Sequence, residues 1–157
     1  MGSRTIRFPV MISIDPAKSA LEKLPHGPEF RFVDRVIEVD PGVRGVGLYT
    51  VRGDEVFLRG HFPGEPMMPG VLIIEAVAQL AGVVAQCDRR QQPLDGLKLT
   101  AVRAIKILGT ARPGERITLR ATVLARMGGL LQARVDASVG DRVVLQGEIT
   151  LAGVVPR

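Results

Sequence analysis

The chain has 157 residues, of which 46% are hydrophobic and 24% are charged, a balance typical of one globular domain with a sizeable core. A formal net charge of +5 accompanies only 4% aromatic residues and no tryptophan, which argues against nucleic-acid binding and favours an acidic protein partner. The single cysteine, Cys87, excludes an intrachain disulfide and a cysteine metal cluster, and it favours a cytoplasmic location.

The first part of the chain is predicted to contain an arm, a short helix and several strands. Residues 1–14 are expected to form an N-terminal arm, with no signal peptide and no apolar run long enough to span a membrane. Asp15 and Pro16 are typical of a helix cap followed by proline in the first turn, which predicts a helix over residues 16–23. Apolar runs between turn signals predict three strands, over Phe32–Val39, Val43–Arg52 and, as a short one, Val56–Leu58.

The central stretch is predicted to be a loop followed by a buried helix. Residues 60–70 hold three prolines and three glycines, which exclude a regular helix or a central strand there. Val71–Gln86 then has the composition of a helix that begins near Pro69 and Gly70 and is apolar nearly all round. Its sixteen residues are short for a bilayer, which needs about 20, so we predict a helix in the core of the domain.

This loop and helix carry three groups with chemical potential. Glu75 and Gln79 are four residues apart and share one helix face, and an apolar environment favours a protonated carboxyl that suits a general acid. His61, in the loop, can take up a proton near neutral pH. The first N–H groups of the helix, near Gly70, lack partners and can bind an oxyanion. A surface histidine and a structural glutamate are common alternatives, so the spacing alone leaves catalysis undecided.

The last third of the chain is predicted to form a sheet. A polar loop over residues 89–96 is followed by apolar residues that alternate with polar ones, which is typical of antiparallel strands with one buried face. One buried helix that covers such a sheet gives an α+β fold. Arg89 and Arg90 follow the helix, where we favour a capping role over contact with an acidic carrier. The predicted strands cover residues 97–108, 115–127, 131–139 and 143–151.

The sequence GHFPGEPMMPGVLIIEAVAQ, residues 60–79, resembles the signature of the 3-hydroxyacyl-[acyl-carrier-protein] dehydratases of the FabZ type. This resemblance implies a hot-dog fold, in which an antiparallel sheet wraps around a long central helix, here about residues 71–86 of a single domain over residues 1–157. It also implies that His61 is the catalytic base or acid and that Glu75 is its partner. Gly70 would donate its N–H to the thioester carbonyl. The related FabA type carries Asp where this chain has Glu75.

The resemblance also predicts which residues contact the substrate. Because Gln79 lies one helical turn from Glu75, it is expected to orient the Glu75 carboxyl. Ile107 replaces a phenylalanine common in the family, which would reshape the acyl tunnel. The stretch LPHGPEFRFVDRV departs from the family pattern at Gly27–Glu29, which bears on substrate choice. His26, in that stretch, is expected to make local hydrogen bonds, because no acid partner is recognisable beside it. Predicted substrate contacts are Phe62, Met68, Pro69, Val71, Gln79 and Ile107, although core packing explains Met67 and Met68 equally well.

The function implied by the resemblance is dehydration of a 3-hydroxyacyl chain on acyl carrier protein to the trans-2-enoyl product. No cofactor is expected, because elimination beside a thioester needs only proton transfers. The family forms its active sites between two subunits, so a homodimer is expected, and trimers of dimers are common. Two alternatives stay open: an acyl-thioester hydrolase of the same fold, and a non-catalytic subunit that binds acyl carriers. The acyl chain length and the pathway are not specified by the sequence.

Overall fold

The structure, a computed structural model, describes residues 15–157, so the predicted arm over residues 1–14 lies outside the described residues. Within this range there are two α-helices and six β-strands. The helices are α1 (Pro16–Glu22) and α2 (Gly70–Gln86), and the strands are β1 (Arg35–Asp40), β2 (Arg44–Thr50), β3 (Asp95–Ile107), β4 (Arg116–Met127), β5 (Leu130–Val139) and β6 (Arg142–Val154).

The six strands form one antiparallel sheet in the order β1-β2-β4-β5-β6-β3, and α2 lies across one face of it. The core forms where α2 meets β4 and its neighbours, with Leu80, Ile117 and Leu119 all fully buried. The predicted α+β architecture, a sheet wrapped around one long helix, is confirmed. No helix within residues 15–157 is both long and apolar enough to cross a bilayer.

Two glycines of β2 let the helix approach the sheet closely. A Cβ on Gly45 would lie 2.6 Å from Val84 Cγ2, and one on Gly47 would lie 3.2 Å from Leu80 Cδ1. Larger residues at these positions would push α2 away from the sheet. The helix is accordingly buried from Ala76 to Ala85.

The prediction that α2 is buried nearly all round is wrong for its first turn. Val71 is 65% exposed, and Leu72 and Ile74 are only half-buried. Ile73 of the same turn is fully buried, so only one side of this turn is exposed. The exposed apolar surface therefore lies directly beside the predicted catalytic groups.

The short helix is as predicted, since α1 begins at Pro16 and the Asp15 carboxylate accepts a hydrogen bond from the Ala17 N–H at 3.0 Å. The predicted strand over Val56–Leu58 is wrong, because this segment forms a 3₁₀ turn over Val56–Arg59. The Glu55 carboxylate accepts hydrogen bonds from the N–H groups of Arg52 and Gly53, at 2.8 Å each. These hydrogen bonds hold a turn directly before the segment, so it does not continue as an extended strand.

Bulges displace part of the predicted alternation. Strict alternation from Ile117 and Leu119 predicts that Ala125 faces the core. A register shift between Val123 and Ala125 of β4 leaves Ala125 exposed instead. In β6 the adjacent residues Val144 and Leu145 are both buried, and Val143 is 41% exposed, because the pairing with β5 shifts after Ala137. A single extra residue inverts the facing of every residue after it.

Strand β3 is one edge of the sheet. It pairs with β6 on one side, and no other strand of residues 15–157 pairs with its opposite side. Its exposed side chains include Val102 at 53% and Ile107 at 51%. A long edge strand with exposed apolar residues is a template for pairing with another chain.

Candidate active site

His61 is held in a defined orientation by its own loop. Its Nδ1 lies 2.9 Å from the Met67 carbonyl oxygen, and its ring stacks on Phe62 with the ring centroids 4.1 Å apart. A carbonyl oxygen only accepts hydrogen bonds, so Nδ1 must carry the proton. In the neutral ring Nε2 then keeps its lone pair, which is the form that a general base requires.

Gly70 is the first residue of α2. The Pro69 carbonyl accepts hydrogen bonds from the N–H groups of Leu72 and Ile73, at 2.9 and 3.3 Å, whereas the Gly70 N–H makes no hydrogen bond within residues 15–157. A free N–H at the positive end of a helix can stabilise a developing oxyanion. A Cβ on Gly70 would lie 2.7 Å from Ile107 Cδ1, so the side chain of Ile107 leaves no room for a larger residue here.

Gln79 fixes the carboxyl group of Glu75. Its Oε1 accepts a hydrogen bond from the Phe32 N–H at 2.9 Å, and its Nε2 donates to the Phe30 carbonyl at 2.8 Å and to Glu75 Oε1 at 3.0 Å. The Phe32 N–H can only donate and the Phe30 carbonyl can only accept, so the amide orientation is unambiguous. Gln79 is 2% exposed, and its side chain ties the segment before β1 to α2.

Replacing Gln79 by methionine, which has a similar shape, is expected to lower the free energy of unfolding by about 3 kcal/mol. The Phe32 N–H would stay buried without a partner and the partly buried Phe30 carbonyl would lose its donor, at a cost of about 1–3 kcal/mol for each unsatisfied group. Urea unfolding measures the effect, and Gln146→Met, at an exposed position of β6, is the matched control. Equal stability of the two variants would show that these hydrogen bonds do not hold the segment.

His26 lies against Glu75, which corrects the expectation that it has no acid partner. Its Nε2 is 3.0 Å from Glu75 Oε1, and the two side chains are 26% and 20% exposed. Arg31 shapes the loop that brings it there, by donating from Nε to the His26 carbonyl at 2.9 Å and from the guanidinium to the Leu24 carbonyl at 3.1 Å. No local sequence pattern predicts this contact, because the two residues are far apart in the sequence.

His61, by contrast, does not meet Glu75 within one chain. No hydrogen bond or ion pair between them occurs in residues 15–157, and His61 does not line the groove that contains Glu75. His61, in the loop before α2, and Glu75, in α2, therefore do not form a pair within one chain.

A groove of about 910 Å³ begins at Glu75 and follows α2 to Gln86, a distance of about 16 Å at the rise of an α-helix. Small residues of α2, Ala78 and Gly82, line it together with leucines of β3 and β6. At the far end Gln86 donates to the Leu94 carbonyl at 2.7 Å and accepts from its N–H at 2.9 Å. The groove is mostly apolar, and its basic lining residues are Lys23, Arg89 and Lys98.

The other predicted contact residues lie outside this groove. Phe62, Val71 and Ile107 are 51%, 65% and 51% exposed, and Pro69 is half-buried at the cap of α2. Met68 is 1% exposed and belongs to the core, which favours the packing alternative. Arg90 forms an ion pair with Asp88 at 2.9 Å, so it acts locally at the end of α2.

Comparisons with known proteins agree on the family. The FabA-like domain family matches residues 24–148. The 3-hydroxyacyl-[acyl-carrier-protein] dehydratase FabZ of Ruminiclostridium cellulolyticum is 40% identical over 135 residues, which is 86% of this chain and 94% of that protein. The chain belongs to the FabZ-type dehydratase family. The FabZ of Clostridioides difficile is 34% identical over 142 residues and covers 90% of this FabZ-type chain and 97% of its own.

Solved structures place this FabZ-type chain among proteins of the hot-dog fold. The dehydratase heterocomplex ApeI:P of Xenorhabdus doucetiae matches with a TM-score of 0.73 at 20% identity, over 90% of this chain and 91% of that one. Zebrafish thioesterase superfamily member 2 matches with a TM-score of 0.63 at 21% identity, over 85% and 90%. At such identities the likeness shows the fold alone, which dehydratases and thioesterases share.

Proposed function

We propose that this protein removes water from 3-hydroxyacyl chains on acyl carrier protein and yields the trans-2-enoyl thioester, in the biosynthesis of fatty acids or a related lipid. The observation that carries the proposal is the start of α2, where a half-buried carboxyl and an unpaired N–H follow an imidazole with a free Nε2. These are the three groups that the elimination requires. The FabZ relatives support the same activity by name.

The proposed mechanism uses proton transfers only. His61 Nε2 takes the proton from the carbon beside the thioester carbonyl, and the Gly70 N–H stabilises the negative charge that develops on the carbonyl oxygen. The C–O bond to the hydroxyl group then breaks, and the protonated Glu75 supplies the proton with which that group leaves as water. His61 returns its proton to solvent, and Glu75 takes one up for the next turnover.

The proposed active site lies between two subunits. Because His61 and Glu75 do not pair within one chain, a second copy would bring its His61 to the Glu75 of the first. The edge strand β3 offers a surface for this pairing, and the exposed side chains of Val71, Val102 and Ile107 would be buried by it. A homodimer is the minimal active unit that we propose, and trimers of dimers would preserve the same sites.

The proposed substrate carrier is acidic acyl carrier protein, in the cytoplasm. The net charge of +5 favours its approach, and the basic residues Lys23, Arg89 and Lys98 line the groove. The apolar groove beside α2 would accept the acyl chain, with the 3-hydroxyl group near Glu75.

The direct experiment adds 3-hydroxyacyl chains of several lengths, attached to acyl carrier protein, and follows enoyl-thioester absorbance. We expect turnover without any added cofactor. Release of free thiol without enoyl product would instead identify a thioester hydrolase. Saturable binding with neither product would identify a non-catalytic carrier-binding subunit.

A further inference from the structure

Two N–H donors converge on one oxygen of Glu75. Gln79 Nε2 and His26 Nε2 each lie 3.0 Å from Oε1, and no hydrogen bond in the described part of the chain reaches Oε2. An oxygen that accepts two hydrogen bonds has no room for a proton of its own. The proton of the acid form of Glu75 must therefore be on Oε2.

The surroundings of the His26 ring specify how it interacts with Glu75. Its Nδ1 is buried and has no hydrogen-bond partner within residues 15–157. A buried N–H without an acceptor is costly, so the neutral ring carries its proton on Nε2 and leaves a lone pair on Nδ1. His26 then donates to Glu75, and it holds the opposite tautomer to His61, whose proton is on Nδ1.

The loop that carries His26 is fixed from both sides. The His26 ring stacks on Phe30 with the centroids 6.1 Å apart, and the Arg31 Nε donates to the His26 carbonyl at 2.9 Å. Gln79 binds the Phe30 carbonyl at 2.8 Å and thereby ties the same loop to α2. The two donors that meet at Glu75 therefore come from one connected network.

We propose that His26 is a positioning residue, which, together with Gln79, holds the Glu75 carboxyl so that the proton on Oε2 is delivered to the leaving hydroxyl group. The inference rests on the proposed dehydration. His26 exchanges no proton with the substrate; it removes the rotational freedom of the acid and determines which oxygen acts. Orientation of this kind contributes to the rate of the chemical step and not to substrate binding.

The kinetic test compares two substitutions of His26. The side-chain amide of His26→Gln can reach the position of Nε2 and donate to Oε1, but it cannot exchange a proton, whereas His26→Leu has no donor. We expect kcat to fall about 10- to 100-fold in His26→Leu with little change in KM, and to stay within about threefold of the wild type in His26→Gln. Wild-type kcat in His26→Leu, or an equal loss in both folded variants, would overturn the inference.

A second measurement needs no turnover and separates this inference from the proposed reaction. The chain has two histidines, so ¹⁵N-histidine labelling of tag-free protein gives two ring systems whose tautomers NMR can read. We expect the Nε2–H form for His26 and the Nδ1–H form for His61, and we expect Glu75→Ala to shift the Nε2 resonance of His26 but not the signals of His61. A Nδ1–H form of His26, or signals indifferent to Glu75→Ala, would refute the positioning role even in an active enzyme. If the tautomers are as expected but the protein shows no turnover, the His26–Glu75 contact is confirmed and the proposed dehydration is wrong.

Discussion

His61→Asn is expected to lower kcat for dehydration by about 10²–10⁴-fold, the usual contribution of a general acid or base. The asparagine amide can still donate to the Met67 carbonyl, as Nδ1 does in the wild type at 2.9 Å, so the loop stays anchored. What the variant loses is Nε2, which is the atom proposed to take the proton. Enoyl-thioester absorbance at saturating 3-hydroxyacyl-[acyl-carrier-protein] measures the effect.

His61→Ala serves as the comparison, because it removes both the anchor and Nε2. If the role of His61 is to shape the loop, the asparagine variant should retain most of the activity and only the alanine variant should lose it. If Nε2 is the base, the two variants should be equally inactive. Thermal unfolding of both proteins would show that neither loss comes from a failure to fold.

The sequence was sufficient to predict the frame of the molecule. Helix α2 extends over Gly70–Gln86, within one residue of the prediction, because an uninterrupted apolar run after a proline and a glycine is a local signal. The hairpins at Gly128 and Gly140 were equally predictable from turn residues between alternating strands. Local periodicity specifies such elements, and the sheet that covers α2 follows from them.

The contacts within the site were only partly predictable. The hydrogen bond between Gln79 and Glu75 follows from their spacing on one helix, so the prediction that they meet is confirmed. The contact of His26 with Glu75 depends on a loop whose path is determined by Arg31 and Gln79, and no periodic pattern encodes it. The bulge before Ala125 likewise results from strand pairing and not from local composition. The catalytic and substrate-binding roles of the predicted residues stay predictions.

The exposure of the first turn of α2 was not predictable from the sequence. Val71 in α2 and Val102 and Ile107 in β3 are apolar but more than half exposed, whereas most of α2 is covered by the sheet. Exposed apolar side chains beside an unpaired strand edge are typical of a surface that pairs with another chain. Local patterns indicate how apolar a residue is, but not whether its side chain is buried within its own chain.

Mixing two inactive variants is expected to restore activity, because each supplies what the other lacks. In a dimer of a His61→Asn chain and a Glu75→Gln chain, one site would combine His61 of the second chain with Glu75 of the first, and the other site would lack both groups. After unfolding and refolding of an equal mixture, half of the dimers are mixed and each has one intact site, so about a quarter of the wild-type activity should appear. The fraction is the same for trimers of dimers formed at random.

The reverse mixture tests the same geometry from the other side. A chain that carries both His61→Asn and Glu75→Gln, refolded with an equal amount of wild type, would leave no intact site in any mixed dimer. Activity per wild-type chain should then fall to about half, since only dimers of two wild-type chains work. If each chain held a complete site, wild-type activity would persist in this mixture and none would appear in the first. Native mass spectrometry of both mixtures verifies that mixed dimers form, so an absence of complementation in their presence would place the site within one subunit.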